Sequence, residues 1–292
     1  MWEEFVERHP LIISGDIERI EDNSFAFKSY SEIIIAEGVK EIGGWAFAWT
    51  DAGKAFIPST ILKIEENPFA HSHICNVTCQ SPNYYVCDGA LVENSTCRMV
   101  AYVGQDRYGG KDLFELKDAD NDTSCRFEYT IPPHIKILGE GCFRGRRLDK
   151  IIIPHTVETI LQNPFVACSA EVVNLSPNYI LENGFLIEKA TKTLIAYLGK
   201  ETDIVVPEGI ETIEGSAFEL LDYGVNSITL PDSIVEIRGN FGEECGLQYI
   251  FVHIGSMDAI KKLLPKYANI ISEIKMGNEE IGVNRYIEQS IK

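Results

Sequence analysis

The stretch IPPHIKILGEGCFRGRRLDKIIIP, residues 131–154, contains the pattern from which most of this chain is built. Two apolar residues three positions apart, Ile135 and Leu138, are followed five positions later by Phe143. A second apolar run then ends at Pro154. Short apolar runs between prolines and glycines indicate extended segments joined by tight turns. The stretch therefore predicts one turn of a coiled chain whose apolar residues face inward.

The pattern occurs seven times along the chain, and its period is about 22 residues where copies adjoin. Adjoining copies begin 22 residues apart, as from Ile17 to Val39. A fixed period in this range is typical of a solenoid, in which each turn buries its apolar edge only by stacking on the next. We therefore expect a buried ladder of phenylalanine side chains, one from each turn: Phe25, Phe47, Phe69, Phe143, Phe165, Phe218 and Phe241.

A longer repeat overlies the short one. The segment DGALVENSTCRMVAYVG, which begins at Asp88, matches NGFLIEKATKTLIAYLG, which begins 95 residues later at Asn183. Each copy alternates apolar and polar residues around a turn-prone centre, a pattern that predicts a β-hairpin. We expect inserted hairpins near 84–104 and 179–199.

These patterns predict a mainly β repeat solenoid with short turns or 3-10 segments and with a helical cap at each end. The amino-terminal cap is residues 1–16, the single solenoid is residues 17–255, and residues 256–292 form a cap helix and a tail. One parallel sheet of a right-handed, curved solenoid is expected to contain the main strands, near residues 33–35, 55–57, 77–79, 151–153, 173–175, 228–230 and 250–252.

Charge and composition restrict the partners. The formal net charge is −18, so electrostatics disfavour nucleic acid and anionic membranes. No apolar run is long enough for a membrane span, so we expect no membrane insertion. The first residues are acidic where a signal peptide needs positive charge, which predicts a cytoplasmic protein. A secreted or cell-surface protein whose leader has been removed is the alternative.

We expect no metal and no cofactor. In the acidic segment 105–129, Asp118, Asp120 and Asp122 invite a calcium interpretation, but the glycine and glutamate of an EF-hand loop are missing. A protruding acidic loop is the preferred interpretation. The eight cysteines are expected to be free thiols, and a zinc site at Cys75 and Cys79 is a weaker alternative because strand spacing separates these side chains.

Catalytic motifs are missing from the sequence. It contains no GxSxG, no phosphate-binding loop and no HExxH, and its six histidines are scattered along the chain. We therefore expect that the protein is not an enzyme. An enzyme built on a repeat scaffold is the most distant alternative.

Two segments resemble a known family. IVVPEGIETIEGSAF, which begins at Ile204, and ITLPDSIVEIRGNF, which begins at Ile228, are similar to the BspA-like leucine-rich repeat, also called the Treponema pallidum type. The resemblance extends over residues 17–270 and implies a solenoid of the leucine-rich-repeat type. The family's cysteine three residues after the phenylalanine is present as Cys168, whereas Arg146 takes the equivalent place one turn earlier.

The resemblance also implies a function. It implies a non-catalytic protein-binding module whose partner is a protein, with self-association as one form of this. A surface adhesin of a host-associated bacterium that binds host matrix proteins is the alternative.

The outward positions of the predicted strands indicate a binding surface. In each strand the residue between the last two core positions should face out, and large apolar side chains there are typical of a protein-binding face. The open alternative is that the hairpins or a second subunit cover this row. The expected row is Ile34, Phe56, Thr78, Ile152, Asn174, Thr229 and Phe251; the predicted contact residues are Ile34, Phe56, Ile152, Tyr249 and Phe251.

Overall fold

The computed structural model describes residues 8–107, 126–219, 224–239, 241, 245–253 and 255–274. The chain forms two compact units, Met1–Tyr179 and Ile180–Lys292. Most of the predicted amino-terminal cap helix, most of the acidic segment and the carboxy-terminal tail lie outside the described residues.

Each early turn of the first unit contributes one strand to each of two parallel sheets. Partners in neighbouring strands are 22 residues apart, as in the pairing of Ile12 with Ile34, so the sequence period is the period of the coil. The four-stranded sheet contains β1 (Leu11–Ile13), β3 (Ile33–Ile35), β5 (Lys54–Ile57) and β7 (Asn76–Cys79). The three-stranded sheet contains β2 (Arg19–Ile20), β4 (Glu41–Ile42) and β6 (Lys63–Ile64). Strand β1 lies within the segment that was predicted as a cap.

The first predicted hairpin is present, and its last strand belongs to the coil. The hairpin strands β8 (Tyr84–Cys87) and β9 (Ala90–Glu93) are antiparallel, as are β9 and β10 (Arg98–Tyr102). Strand β10 then pairs in parallel with β12 (Ile137–Leu138), which pairs in parallel with β14 (Thr159–Ile160). The hairpin therefore returns the chain to the repeat.

The prediction of one continuous parallel sheet is wrong. The first sheet ends at β7, because the chain continues from there into the hairpin rather than into another turn of the same form. A separate parallel sheet of the first unit contains β11 (Glu128–Thr130), β13 (Arg147–Ile153) and β15 (Ser169–Asn174).

A buried arginine lies at the break between these sheets. The Arg146 guanidinium donates hydrogen bonds to the carbonyl oxygens of Ser72, at 3.0 Å, and Ile74, at 3.4 Å. It also lies 3.8 Å from the carboxylate of Asp106, which is buried as well. The arginine thus satisfies polar groups where the repeat pattern is interrupted.

The second unit has the same two kinds of sheet. One contains β16 (Tyr179–Glu182), β17 (Phe185–Glu188), β18 (Thr193–Tyr197), β20 (Thr212–Glu214) and β22 (Glu236–Arg238). The other contains β19 (Asp203–Val205), β21 (Ser227–Thr229), β23 (Tyr249–His253) and β24 (Ile271–Ile274). The described part of this unit also contains two 3-10 segments, Gly215–Phe218 and Pro265–Tyr267, and the helix α1 (Met257–Leu263).

The helix predicted after Ser256 is therefore present, but the side chain of Ser256 does not cap it. Its hydroxyl donates instead to the carboxylate of Asp232, at 2.5 Å.

The phenylalanine ladder is confirmed within each unit. In the first, the ring of Phe47 lies 5.7 Å from those of both Phe25 and Phe69, and Phe143 lies 5.6 Å from Phe165. In the second, Phe218 lies 5.8 Å from Phe241. The rings are buried except that of Phe25, which is partly exposed.

Two ladder members come from the hairpins and are not phenylalanines. Tyr102 stacks on Phe143 with ring centroids 5.7 Å apart, and Tyr197 lies 6.1 Å from Phe218. Each tyrosine ends a hairpin strand that has rejoined the coil, so the aromatic ladder continues through the hairpins.

The seven cysteines within the described residues are free thiols. Cys142 is fully buried, and its burial raises the pKa of its thiol. The eighth cysteine, Cys125, lies outside the described residues.

Candidate protein-binding surface

The exposed face of the first sheet has an apolar stripe across three adjacent strands. We define the stripe as Ile12, Ile34 and Phe56, which are paired in register on β1, β3 and β5. Ile12 is 66% exposed, and the other two side chains are partly exposed. The next position in the row is Thr78, which is polar and exposed. The structure therefore brings two predicted contact residues together and adds Ile12, which sequence reasoning missed.

Ile152 lies in the separate sheet of the first unit. It is partly buried and is paired with Val173, whereas Asn174 pairs with Ile153. The placement of Asn174 in the outward row beside Ile152 is therefore wrong. Its side-chain amide donates instead to the carbonyl oxygen of Tyr179, at 3.1 Å, which holds the turn that follows β15.

In the second unit, the prediction that Phe251 and Thr229 are exposed is wrong. Both are only 6% exposed. Phe251 lies between Thr229 and Ser272 of the neighbouring strands, and its ring stacks on that of Tyr249 at a centroid distance of 6.1 Å. Tyr249 and Phe251 therefore pack on each other. The apolar residue that this row does expose is Val205, on β19.

A second surface of the first unit was not predicted. We define the aromatic column as Phe27, Trp49 and His71, three rings stacked nearly parallel. Both centroid distances are 4.6 Å, which is close to the spacing between neighbouring strands of a sheet. Phe27, at the end of the column, is 72% exposed. The sequence does contain a signal for it, since the three residues are 22 positions apart and each follows a ladder phenylalanine by two.

The backbone of the aromatic column is unusual. All three residues have positive φ angles, between 51° and 59°, where a bulky side chain is rare. Backbone hydrogen bonds between neighbouring turns hold this geometry, for example the bond from the N–H of Trp49 to the carbonyl oxygen of Ala70 at 3.0 Å. Beside the column, the guanidinium of Arg144 lies 4.1 Å from the ring centroid of Trp45, a cation–π geometry.

The environment of His71 predicts a pH dependence of stability. Burial, followed by the charges of Arg144 and Arg146, lowers the pKa of His71 to about 4. An unfolded histidine titrates near pH 6.5, so between those values the unfolded chain binds more protons than the folded one. We therefore expect the contribution of His71 to stability to be present above about pH 6.5 and to be lost as the pH falls to 4.

Urea midpoints measured between pH 7.5 and 4 test this expectation. The variant His71→Gln should lose less stability over this range than the unchanged protein, whereas the exposed-site control His155→Gln should behave like the unchanged protein. Equal losses in all three proteins would contradict the assignment.

The second sheet of the first unit has charged rather than apolar side chains. Arg19 contacts the carboxylates of Glu41, at 2.8 Å, and Glu65, at 3.1 Å. Hydrogen bonds from Lys63 and Arg19 lower the pKa of Glu65 to about 2. The charged side chains of this sheet are paired with one another, whereas the stripe and the column are built from apolar and aromatic side chains.

The model of the BspA type leucine rich repeat region matches residues 8–114, 123–196 and 192–291, with six copies. The chain belongs to this family. The solenoid is therefore a BspA-type leucine-rich repeat, as the resemblance implied.

Two solved structures of leucine-rich proteins are similar to this BspA-type chain. A leucine rich cell surface protein from Faecalibacterium prausnitzii is 19% identical with a TM-score of 0.49; the alignment covers 87% of this chain and 62% of that one. This chain thus spans less than two thirds of the length of that protein. A leucine-rich repeat protein from Eubacterium ventriosum is 15% identical, with a TM-score of 0.40 and coverages of 94% and 79%.

The pneumococcal vaccine antigen PcpA is also similar, at 15% identity and a TM-score of 0.41, with coverages of 91% of this chain and 79% of that one. No curated protein matches this BspA-type chain. In the part of the chain that the structure describes, no helix is long and apolar enough to cross a membrane.

Proposed function

We propose that this BspA-type repeat is a non-catalytic protein-binding module whose partner is a protein engaged on the first sheet. The apolar stripe of Ile12, Ile34 and Phe56 is the observation that carries the proposal. Large apolar side chains that share one exposed sheet face mark interaction sites more often than they serve solubility.

The surroundings of the stripe support a protein partner. Glu32, which precedes β3, lies two residues before Ile34. Lys54, the first residue of β5, lies two residues before Phe56, so both have the same strand face as the stripe. A polar rim around an apolar centre is the usual anatomy of a protein interface, because the rim stays hydrated while the centre excludes water. A flat, rigid sheet also costs little ordering entropy when it binds.

The aromatic column supports a second location for the same function. Phe27 presents an exposed ring at the end of a stack, and aromatic side chains are enriched among residues that dominate binding energy. The stripe is preferred because its three apolar side chains lie in register on adjacent strands of one sheet.

Paired double variants separate the two locations. Ile12→Ser with Phe56→Ser removes the stripe, and Phe27→Ser with Trp49→Ser removes the exposed part of the aromatic column. We expect the stripe variant to weaken partner binding by at least about 30-fold, since one dominant contact residue contributes about 2 kcal/mol or more. The column variant should bind like the unchanged protein.

Affinity capture from extracts of the source organism, followed by titration of the captured protein, provides the measurement. Sedimentation of the three proteins tests self-association in the same way. If the stripe variant keeps the affinity of the unchanged protein in both measurements, the proposed surface is wrong. Loss of binding in the column variant alone would move the site to the aromatic column.

A further inference from the structure

Three side chains in the second unit converge beyond the ends of neighbouring strands. Glu208 follows β19, Asp232 follows β21, and His253 is the last residue of β23. The Nδ1 atom of His253 lies 3.3 Å from a carboxylate oxygen of Asp232 and 3.7 Å from one of Glu208. One ligand atom from each residue lies within 4.8 Å of the other two. The cluster therefore offers one imidazole nitrogen and two carboxylate oxygens to a common point.

The equivalent position in the first unit shows what is unusual here. Glu37 and Ser59 lie three residues beyond the paired Ile34 and Phe56, as Glu208 and Asp232 lie beyond the paired Val205 and Thr229. The two positions share one hydrogen bond and differ in another.

In the first unit the Glu37 carboxylate accepts hydrogen bonds from the N–H of Ser59, at 3.1 Å, and from its hydroxyl, at 2.9 Å. In the second unit Glu208 accepts the N–H of Asp232, also at 3.1 Å, but the hydroxyl is replaced by a second carboxylate. Two neighbouring carboxylates repel each other unless a cation lies between them. Among the residues that the structure describes, no Lys or Arg lies within 4 Å of either one.

The orientation of Asp232 is also set from outside the cluster. The hydroxyl of Ser256 donates to Oδ1 of Asp232, at 2.5 Å, which leaves Oδ2 directed at His253. Hydrogen bonds of this kind, from outside the coordinating atoms, orient the ligands of metal sites.

We propose that Glu208, Asp232 and His253 bind a zinc ion. Zinc accepts imidazole nitrogen and carboxylate oxygen at about 2.0–2.2 Å, and tetrahedral ligands at that radius lie about 3.3–3.6 Å from one another. The distances from Nδ1 to the two carboxylates, 3.3 Å and 3.7 Å, match this spacing. The fourth position is open to water. Zinc at this point joins three successive turns of the second unit.

The test measures zinc binding and its effect on thermal unfolding of the full chain. Because the ion binds the folded state, zinc chloride should raise the melting temperature of the unchanged protein in a concentration-dependent way. Two variants should lose this rise and bind zinc at least tenfold more weakly: His253→Ala and Asp232→Ser. The second reproduces the arrangement of Glu37 and Ser59, so its melting temperature without zinc should stay close to that of the unchanged protein.

Three controls make the outcome unambiguous. His155→Ala, at an exposed histidine of the first unit, should leave zinc binding unchanged. Cobalt substitution should give a visible spectrum without a thiolate charge-transfer band, which separates this site from the free cysteines. Calcium should not replace zinc, because calcium takes oxygen ligands.

Failure to raise the melting temperature overturns the proposal, as does a rise that survives in His253→Ala and Asp232→Ser. A response to calcium that equals the response to zinc assigns a carboxylate-only site and equally overturns it. None of these outcomes depends on the protein-binding surface of the first unit.

Discussion

Replacing Arg146 with alanine should lower the free energy of unfolding by about 3–5 kcal/mol, one of the largest effects of any single substitution in this protein. Arg146 is 1% exposed, and its guanidinium faces the buried carboxylate of Asp106 and the carbonyl oxygens of Ser72 and Ile74. Without it, the buried carboxylate of Asp106 loses its ion-pair partner and two buried backbone acceptors lose a donor. Urea unfolding monitored by circular dichroism measures the loss.

A second substitution separates the charge from the packing. The double variant Arg146→Ala with Asp106→Asn removes the buried carboxylate as well, so it should recover part of the lost stability. The control is Arg126→Ala. The side chain of Arg126 is 82% exposed and lies 3.7 Å from the carboxylate of Glu128. The free energy of unfolding of this variant should stay within about 0.5 kcal/mol of that of the unchanged protein. An Arg146→Ala protein as stable as the control would show that the buried contacts contribute little.

Truncating Phe143 to alanine should cost about 3–5 kcal/mol. This ring is fully buried at the point where the coil resumes after the hairpin. It stacks on Tyr102 and Phe165 and meets the edge of Tyr129 at a centroid distance of 5.9 Å. The cavity cannot close easily, because ladder hydrogen bonds hold the surrounding turns at the spacing of their strands.

The matched control for this experiment is Phe27→Ala, which removes the same side chain from the end of the aromatic column. Because Phe27 is 72% exposed, the expected loss is below about 1 kcal/mol. The difference between the two variants in urea midpoint measures the role of the ladder. Similar losses at both positions would mean that the ladder is no more important than the surface stack.

The amino-acid sequence alone was sufficient to predict the repeat. A 22-residue period places Phe47 and Phe69 at the same point of successive turns, and stacking then follows from the geometry of a coil. The hairpin pattern was equally local, because alternation and a turn-prone centre need no information about distant residues. The partly exposed positions of Ile34 and Phe56 followed from the alternation of side chains along a strand.

Other features depended on which segments meet in three dimensions. Tyr102 joins the ladder only because a hairpin strand returns to the coil in register with the next turn. Phe251 has the same strand position as Phe56, yet it is buried, and packing against Tyr249 is a contact that the repeat pattern does not specify.

Arg146 shows the same limit most clearly. Its sequence position, three residues after Phe143, marks it only as a departure from the cysteine found at Cys168. Its partners, Ser72 and Ile74, lie more than 70 residues away and need a donor because the first sheet ends beside them. Periodicity determines which side chains face the core of each turn, because every turn repeats the same backbone path. Where that path is interrupted, the unpaired groups and their partners are decided by the tertiary structure alone.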